Sequence, residues 1–318
     1  MTDFRRPAPD LPSRGVRAAR RIRRGRPTTA WLGAWLPLLV APWLVPLLAP
    51  REWPRWAVMW LLAFVIFCGC KWLTWRAVCT RGVPRWRQLG YLLAWPGLDA
   101  PTFLAPGDRG PVVAPSPAEW LFALAKLAAG CGVLYGLVPI LPAADPYLVG
   151  WVGMIGVVLV LHFGSFHLLS CAWRAAGIDA RPLMNRPLAA TSLADFWGAR
   201  WNTAFRDLTH RFLFRPLASW LGPRGAVVAG FAFSGVVHDV VISWPAGGGY
   251  GGPTGFFLLQ GAGILAERSA VGRAAGLGRR WRGWLFVMAV LLAPATLLFH
   301  RPFVIGIVVP FLTALGAL

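Results

Sequence analysis

The stretch Phe233-Ser234-Gly235-Val236-Val237-His238-Asp239 places a histidine and a carboxylate inside a run that is otherwise apolar from 225 to 244. Such groups are expensive in hydrocarbon, so they face a protein interior or a wet cavity and mark a site of chemistry or of transport. An imidazole can take a proton from a hydroxyl near neutral pH. Asp239 is no automatic partner for His238, because adjacent helical residues do not face each other. Ser234 does share a face with His238 at i, i+4, which allows a hydrogen bond or a nucleophile-and-base pair. The G-x-S-x-G elbow that exposes a serine nucleophile is missing around it, which argues against a covalent serine route. Three readings stay open on these residues: a structural histidine satisfied by hydrogen bonds within the protein, an enzyme that uses His238 as a base, and a transporter in which His238 and Asp239 bind protons or substrate.

The helix that carries His238 has to cross a bilayer. Fourteen residues separate Arg224 from His238, about 21 Å at ~1.5 Å per residue, and Trp244 lies six residues beyond, so the histidine sits inside the membrane. The chain as a whole suits that setting, with 57% hydrophobic and 14% charged residues in 318. Apolar runs predict about eight transmembrane helices, near 31–50, 57–73, 118–141, 147–173, 225–244, 254–267, 283–299 and 303–318. These runs lack the alternation of barrel strands, so the expected fold is all-α and multi-pass.

The net charge of +20 would point to nucleic acid in a soluble protein, but its distribution follows topology. Nine arginines lie in residues 1–30, five in 74–117, eight from Arg174 to Arg224 and five from Arg268 to Arg282. The intervening connections hold only Arg51, Arg55 and Arg301. Both termini and the three long connections are therefore expected on the cytoplasmic side, with the bilayer and not nucleic acid as the partner. Residues 1–30 read as a basic, disordered anchor and 31–318 as a single integral membrane domain. The five cysteines show no CxxC spacing, and no metal site is expected. Lys71 and Lys126 read as structural, and His162 and His167 as core hydrogen-bonding groups or the lining of an entrance. Gly247, Gly249 and Gly252 match G-x-G-x-x-G only in composition, since no strand precedes them and Pro253 follows.

The segment 174–223 is too polar to span yet rich in tryptophan, phenylalanine and arginine. Ser192 and Asp195 predict a helix start with a capping box. Leu193, Trp197, Trp201, Ala204, Leu208 and Phe212 then recur at helical spacing, with Asp195, Asn202, Arg206 and Thr209 on another face. That pattern predicts an amphipathic cytoplasmic helix between the fourth and fifth spans.

Asp195-Phe196-Trp197-Gly198-Ala199-Arg200-Trp201-Asn202, followed by Ser234-Gly235-Val236-Val237-His238, resembles the wax synthase branch of the membrane-bound O-acyltransferases. The likeness extends over about 160–270 and takes in Arg181-Pro182-Leu183-Met184, Phe214-Arg215-Pro216-Leu217 and Gly249-Tyr250-Gly251-Gly252-Pro253-Thr254. It implies an active-site pair of His238 and Asn202, with Asp239, Ser234, Asp195, Trp201 and Gln260 as supporting candidates. Related sequences commonly carry glutamate after the histidine, where this chain has Asp239. The implied reaction moves a fatty acyl group from acyl-CoA, a co-substrate and not a bound cofactor, to a lipophilic alcohol. Arg200, Arg206 and Arg215 are candidate contacts for the CoA phosphates. The HHxxxDG and HxxxxD signatures of the soluble-type acyltransferases are missing.

Overall fold

The computed structural model describes residues 29–105 and 111–318, among which every regular element is a helix. In chain order the principal helices begin with α1 (Thr29–Leu48), α2 (Arg55–Arg76), α3 (Arg85–Ala94), α4 (Pro117–Ile140) and α5 (Pro146–Ala175). The short α6 follows as Leu193–Asp195 continued by Phe196–Arg200, then α7 (Thr203–Ala246), α8 (Gly252–Glu267), α9 (Arg280–Leu298) and α10 (Arg301–Ala314). The basic tail expected over 1–30 lies almost wholly outside the described residues. Local sequence sets the starts of α4 and α5, where a proline follows a capping side chain. Ser116 accepts from the Glu119 amide at 3.2 Å and Asp145 from the Leu148 amide at 3.0 Å.

Five helices are long and apolar enough to cross a membrane, namely α2, α4, α5, α7 and α9. The other three expected spans are also helical, α1 over Thr29–Leu48 and the shorter α8 and α10 over Gly252–Glu267 and Arg301–Ala314. The 16 residues of α8 reach about 24 Å, less than the ~30 Å hydrocarbon core. At 44 residues α7 is far longer than one crossing needs, and it is broken where Gly222 takes φ 69° and ψ 170° ahead of Pro223. The part after the break carries His238.

The continuous amphipathic helix expected from Ser192 to Phe212 does not form. Trp201 is extended and Asn202 adopts a left-handed conformation, φ 42° and ψ 62°, which separates α6 from α7. Asparagine is one of the few residues other than glycine that tolerates this geometry. Instead of lying flat on one face, α6 buries Leu193 and Phe196 in a cluster with Ala190, Ile264 and Val287, against which Trp197, Trp201 and Phe231 pack. The Ser192 cap does form, with Ser192 Oγ accepting from the Asp195 amide at 3.0 Å.

Three of the wider π-type turns fall at places that hold polar groups. One contains His162 (Leu159–Ser165), one leads into Asn202 (Phe196–Arg200) and one follows His238 (Asp239–Ser243). Each shifts the side-chain register within a helix, a feature common at functional sites.

Near the site, α7 and α8 approach each other closely. A Cβ at buried Gly235 would stand 2.6 Å from the Thr254 Cα, so only glycine permits this approach. Gly235→Ala is therefore expected to destabilise the protein by about 1–3 kcal/mol through overpacking. A lower apparent melting temperature in detergent micelles checks it; an unchanged one would mean that the seam relaxes freely.

Candidate active site

His238 closes the regular part of α7, and its Nδ1–H donates to the Ser234 carbonyl at 2.7 Å. A carbonyl can only accept, so this bond assigns the proton of the neutral ring to Nδ1 and leaves the lone pair on Nε2. Nε2 has no protein partner among the described residues. The imidazole packs on Phe257 of α8 with ring centroids 4.4 Å apart. The sequence allowed a bond from the Ser234 hydroxyl to His238. The structure uses the Ser234 backbone instead, as a helix does for a histidine that folds back on its own turn.

Asp239 does not pair with His238. Its Oδ1 accepts from Ser243 Oγ at 2.8 Å and the Gly251 amide at 2.9 Å, and its Oδ2 from the Thr254 amide at 3.0 Å and the Thr254 hydroxyl. The carboxylate thus ties α7 to the 247–251 turn and to the start of α8. Gly247, Gly249 and Gly251 each have φ of 70–81° in that turn, so the glycines serve a left-handed backbone path. On its far side Ser243 meets His300, with Ser243 Oγ and His300 Nε2 3.1 Å apart. The residue types are those of a Ser-His-Asp triad, but the protons run the wrong way. The Phe303 amide donates to His300 Nδ1 at 3.2 Å, so Nε2 carries the ring proton and gives it to Ser243, whose own proton goes to Asp239. The group is a structural relay, since the imidazole cannot accept the serine proton.

Asn202 is held by its backbone. Its amide donates to Met184 Sδ at 3.3 Å, the Arg200 carbonyl accepts from the Asn185 amide at 2.8 Å, and the Thr203 amide donates to the Leu183 carbonyl at 3.1 Å. Its side-chain amide makes no hydrogen bond among the described residues. A run of rings joins its surroundings to His238: Trp201 stacks on Phe196 at 5.8 Å, Phe196 meets Trp197 at 5.1 Å, and Trp197 meets Phe257 at 5.7 Å. Asn202 and His238 thus flank one aromatic cluster, without touching through a hydrogen bond.

The supporting candidates take varied positions. Trp201 is a member of the ring series. Gln260 is fully buried, accepting from Trp197 Nε1 at 3.4 Å and donating to the Val290 carbonyl at 2.9 Å. Asp195 is engaged by Arg200 in an ion pair, so it does not close the capping box. Arg206 pairs with Asp207 at 2.6 Å and donates to the Gly198 carbonyl at 2.7 Å. Two of the three arginines expected to face CoA are therefore tied within the protein, while Arg215 is exposed.

One group escaped the sequence reading. Glu267 is buried and accepts from the Leu193 amide at 2.7 Å and the Ala194 amide at 2.9 Å. His162, expected as a core hydrogen-bonding group or the lining of an entrance, has a buried Nδ1 with no partner among the described residues, and its ring lies parallel to Trp201 at 6.4 Å. Its position beside an aromatic neighbour of Asn202 could not be read from a pattern on its own helix.

A second polar cluster lies between α4 and α5. Lys126 Nζ meets His167 Nδ1 at 2.6 Å, His167 Nε2 meets Glu119 at 3.0 Å, and Arg174 pairs with Glu119. Glu119, His167 and Cys171 bring ligand-type atoms within 4.8 Å of one another. Lys126 and Arg174 already supply the positive charge there, which leaves a metal cation little to gain. Lys71 is likewise structural: it is buried, donates to the Gly97 carbonyl at 2.5 Å and stands over the Tyr91 ring at 3.7 Å. Two apolar hollows flank the site, one of about 430 Å³ lined by Trp43, Leu62, Val236 and Thr254, the other of about 650 Å³ lined by Leu259, Gly263, Phe286 and Val290. Neither is lined by His238 or Asn202.

Together, the apolar crossing helices and the polar groups among them define an integral membrane protein of the helical class. Residues 180–259, which contain both Asn202 and His238, match the model of the membrane bound O-acyl transferase family. The chain is 34% identical over 134 residues to the long-chain-alcohol O-fatty-acyltransferase of Simmondsia chinensis, a match covering 36% of each chain. It is 34% identical over 144 residues to the probable long-chain-alcohol O-fatty-acyltransferase 7 of Arabidopsis thaliana, covering 39% of this chain and 40% of that one. It is also 34% identical over 71 residues to the acyl-CoA–sterol O-acyltransferase 1 of Arabidopsis thaliana, covering 20% of this chain and 21% of that one. The matched stretch thus spans well under half the length of these relatives, and within it the resemblance to the wax synthase branch stands.

Burial lowers the His300 pKa from its ordinary value of 6.5, against the opposing pull of Asp239. The folded protein therefore binds this proton less readily than the unfolded chain, and stability from this site is lost as the pH falls below about 6.5. Thermal denaturation at stepped pH is expected to show this acid loss. His300→Asn, which can still cap the Phe303 amide, is expected to flatten it; an unchanged slope would rule His300 out as its source.

Proposed function

We propose that the chain is a membrane-bound O-acyltransferase that moves a fatty acyl group from acyl-CoA to the hydroxyl of a lipophilic alcohol. The observation that carries this reading is the contact of His238 Nδ1 with the Ser234 carbonyl, which turns Nε2 free beside an aromatic cluster. Such a nitrogen is suited to accept the proton of an alcohol as its oxygen attacks the thioester carbonyl. The C–O bond forms as the C–S bond breaks, and the imidazolium returns its proton to the departing CoA thiolate. The unpartnered amide of Asn202 supplies a donor for the oxygen that gains charge in the transition state. Aromatic walls limit water, whose attack would divert acyl-CoA to hydrolysis. The names of the matched relatives point the same way, and they include both long-chain-alcohol and sterol acyltransferases.

The reading extends to topology. Eight membrane segments, with α8 and α10 as short members around which the bilayer thins and both termini cytoplasmic, reconcile the helices with the arginine distribution. Arg215 then stands on the cytoplasmic face as a contact for CoA phosphates, while Arg200 and Arg206 shape the segment around Asn202.

Membranes containing the protein, given labelled acyl-CoA and a panel of long-chain alcohols, sterols and diacylglycerol, are expected to form ester from at least one acceptor. His238→Ala is expected to lower that rate by about 10²–10⁴-fold, the range for loss of a general base. Full ester formation by this variant would sink the mechanism, and failure of every acceptor with the wild-type protein would sink the function. Asn202→Gly suits the left-handed backbone while removing the side chain with its amide, and is expected to cost about 10²–10³-fold in kcat. A rate within about twofold of wild type, a bound set as roughly half a kcal/mol, would remove Asn202 from the mechanism.

A further inference from the structure

We propose that Glu267 is a positioning residue that sets the place of Asn202, through α6, relative to His238. The inference rests on the acyltransferase reading for its kinetic consequence but on geometry alone for its structural one. Glu267 ends α8 as a buried carboxylate, and among the described residues no cation pairs with it. A buried anion without compensation is costly, and here the compensation comes from two backbone amides, Leu193 at 2.7 Å and Ala194 at 2.9 Å. These amides lie in the first turn of α6, where no intrahelical carbonyl can reach them and the helix end attracts negative charge. The Ser192 hydroxyl meets the next one, Asp195, at 3.0 Å. The start of α6 is thus fixed by one side chain from its own chain segment and by another that lies 74 positions beyond Leu193.

Seven residues back along α8, Gln260 accepts from Trp197 at 3.4 Å. Leu193 therefore faces Glu267 and Trp197 faces Gln260, so α6 runs antiparallel to α8 and is pinned at two levels. Three residues earlier still, Phe257 carries both Trp197 at 5.7 Å and His238 at 4.4 Å. A single helix, α8, therefore measures the separation of the segment that leads into Asn202 from the imidazole. The carboxylate is specific to this task because both of its oxygens accept. With glutamine in place of Glu267 the shape would be retained, but one arm would turn an N–H toward a backbone N–H.

Glu267→Gln is expected to lower kcat for ester formation about 100-fold, the scale of a ~1 Å misplacement, while the KM for acyl-CoA stays within about twofold. Glu267→Asp, able to reach one amide, is expected to fall between the two. Hydrogen–deuterium exchange in lipid nanodiscs supplies a reading independent of turnover: peptides covering 193–202 are expected to exchange about tenfold faster in Glu267→Gln, with α2 and α4 unchanged. Unchanged exchange over 193–202 would overturn the clamp. Faster exchange with wild-type kcat would overturn the positioning role. If the wild-type protein acylated no acceptor, the enzyme reading would fail by itself and the clamp would still be decided by exchange. Should Glu267→Gln not reach the membrane folded, Glu267→Ala and Gln260→Leu, measured by the same exchange, decide it.

Discussion

The carboxylate of Asp239 accepts from Ser243, Gly251 and both donors of Thr254, and through these bonds α7, the glycine turn and α8 are held as one unit. Filling each acceptor site offsets the cost of holding a partly buried charge here. Its neighbour His238 inherits a fixed place, with Phe257 on one side and its own turn of helix below. The same rule orders much of the polar interior. Glu267, Lys71, Gln260 and Arg174 all find partners, and they join segments far apart in sequence. Among the described residues Nε2 of His238 and the amide of Asn202 make no hydrogen bond, and beside them the buried Nδ1 of His162 also has none.

Much of this was legible in the sequence, because hydrocarbon makes a polar residue conspicuous. His238 was visible for that reason, and Asn202, in a segment too polar to span, entered only through the family resemblance at Asp195–Asn202 and Ser234–His238. The helical class followed from the apolar runs, and the Ser192 cap from its local pattern. The break at Asn202 was hidden, since Leu193, Trp197, Trp201 and Ala204 keep their spacing across it. Periodicity reports which residues want cover, and it does not report a single left-handed residue that divides the segment. Span ends were blurred for a related reason: apolar composition continues past helix ends such as that of α9, where Phe299 and His300 form a connection.

Glu267 shows the limit more sharply. Beside Arg268, at the end of an apolar run, it reads as an ordinary interfacial charge, and only the fold reveals that it caps a helix beginning 74 residues earlier. Asp239 was open to the opposite error, because a carboxylate next to a histidine invites a dyad. The Asp239, Ser243 and His300 group extends the lesson, since its composition suggests catalysis and its hydrogen-bond directions exclude it.

The contact of Gly235 with Thr254 has a bearing on traffic. With the two backbones this close, and Phe257 seated on the imidazole a turn away, no hydrocarbon chain passes between α7 and α8 to His238. That seam is a wall, and anything that meets the imidazole arrives from a different quarter. On the acyltransferase reading proposed above, a lipid dissolved in the surrounding leaflet and a thioester arriving from water share the remaining approaches, so the order in which two such molecules load becomes a matter of shape as well as affinity.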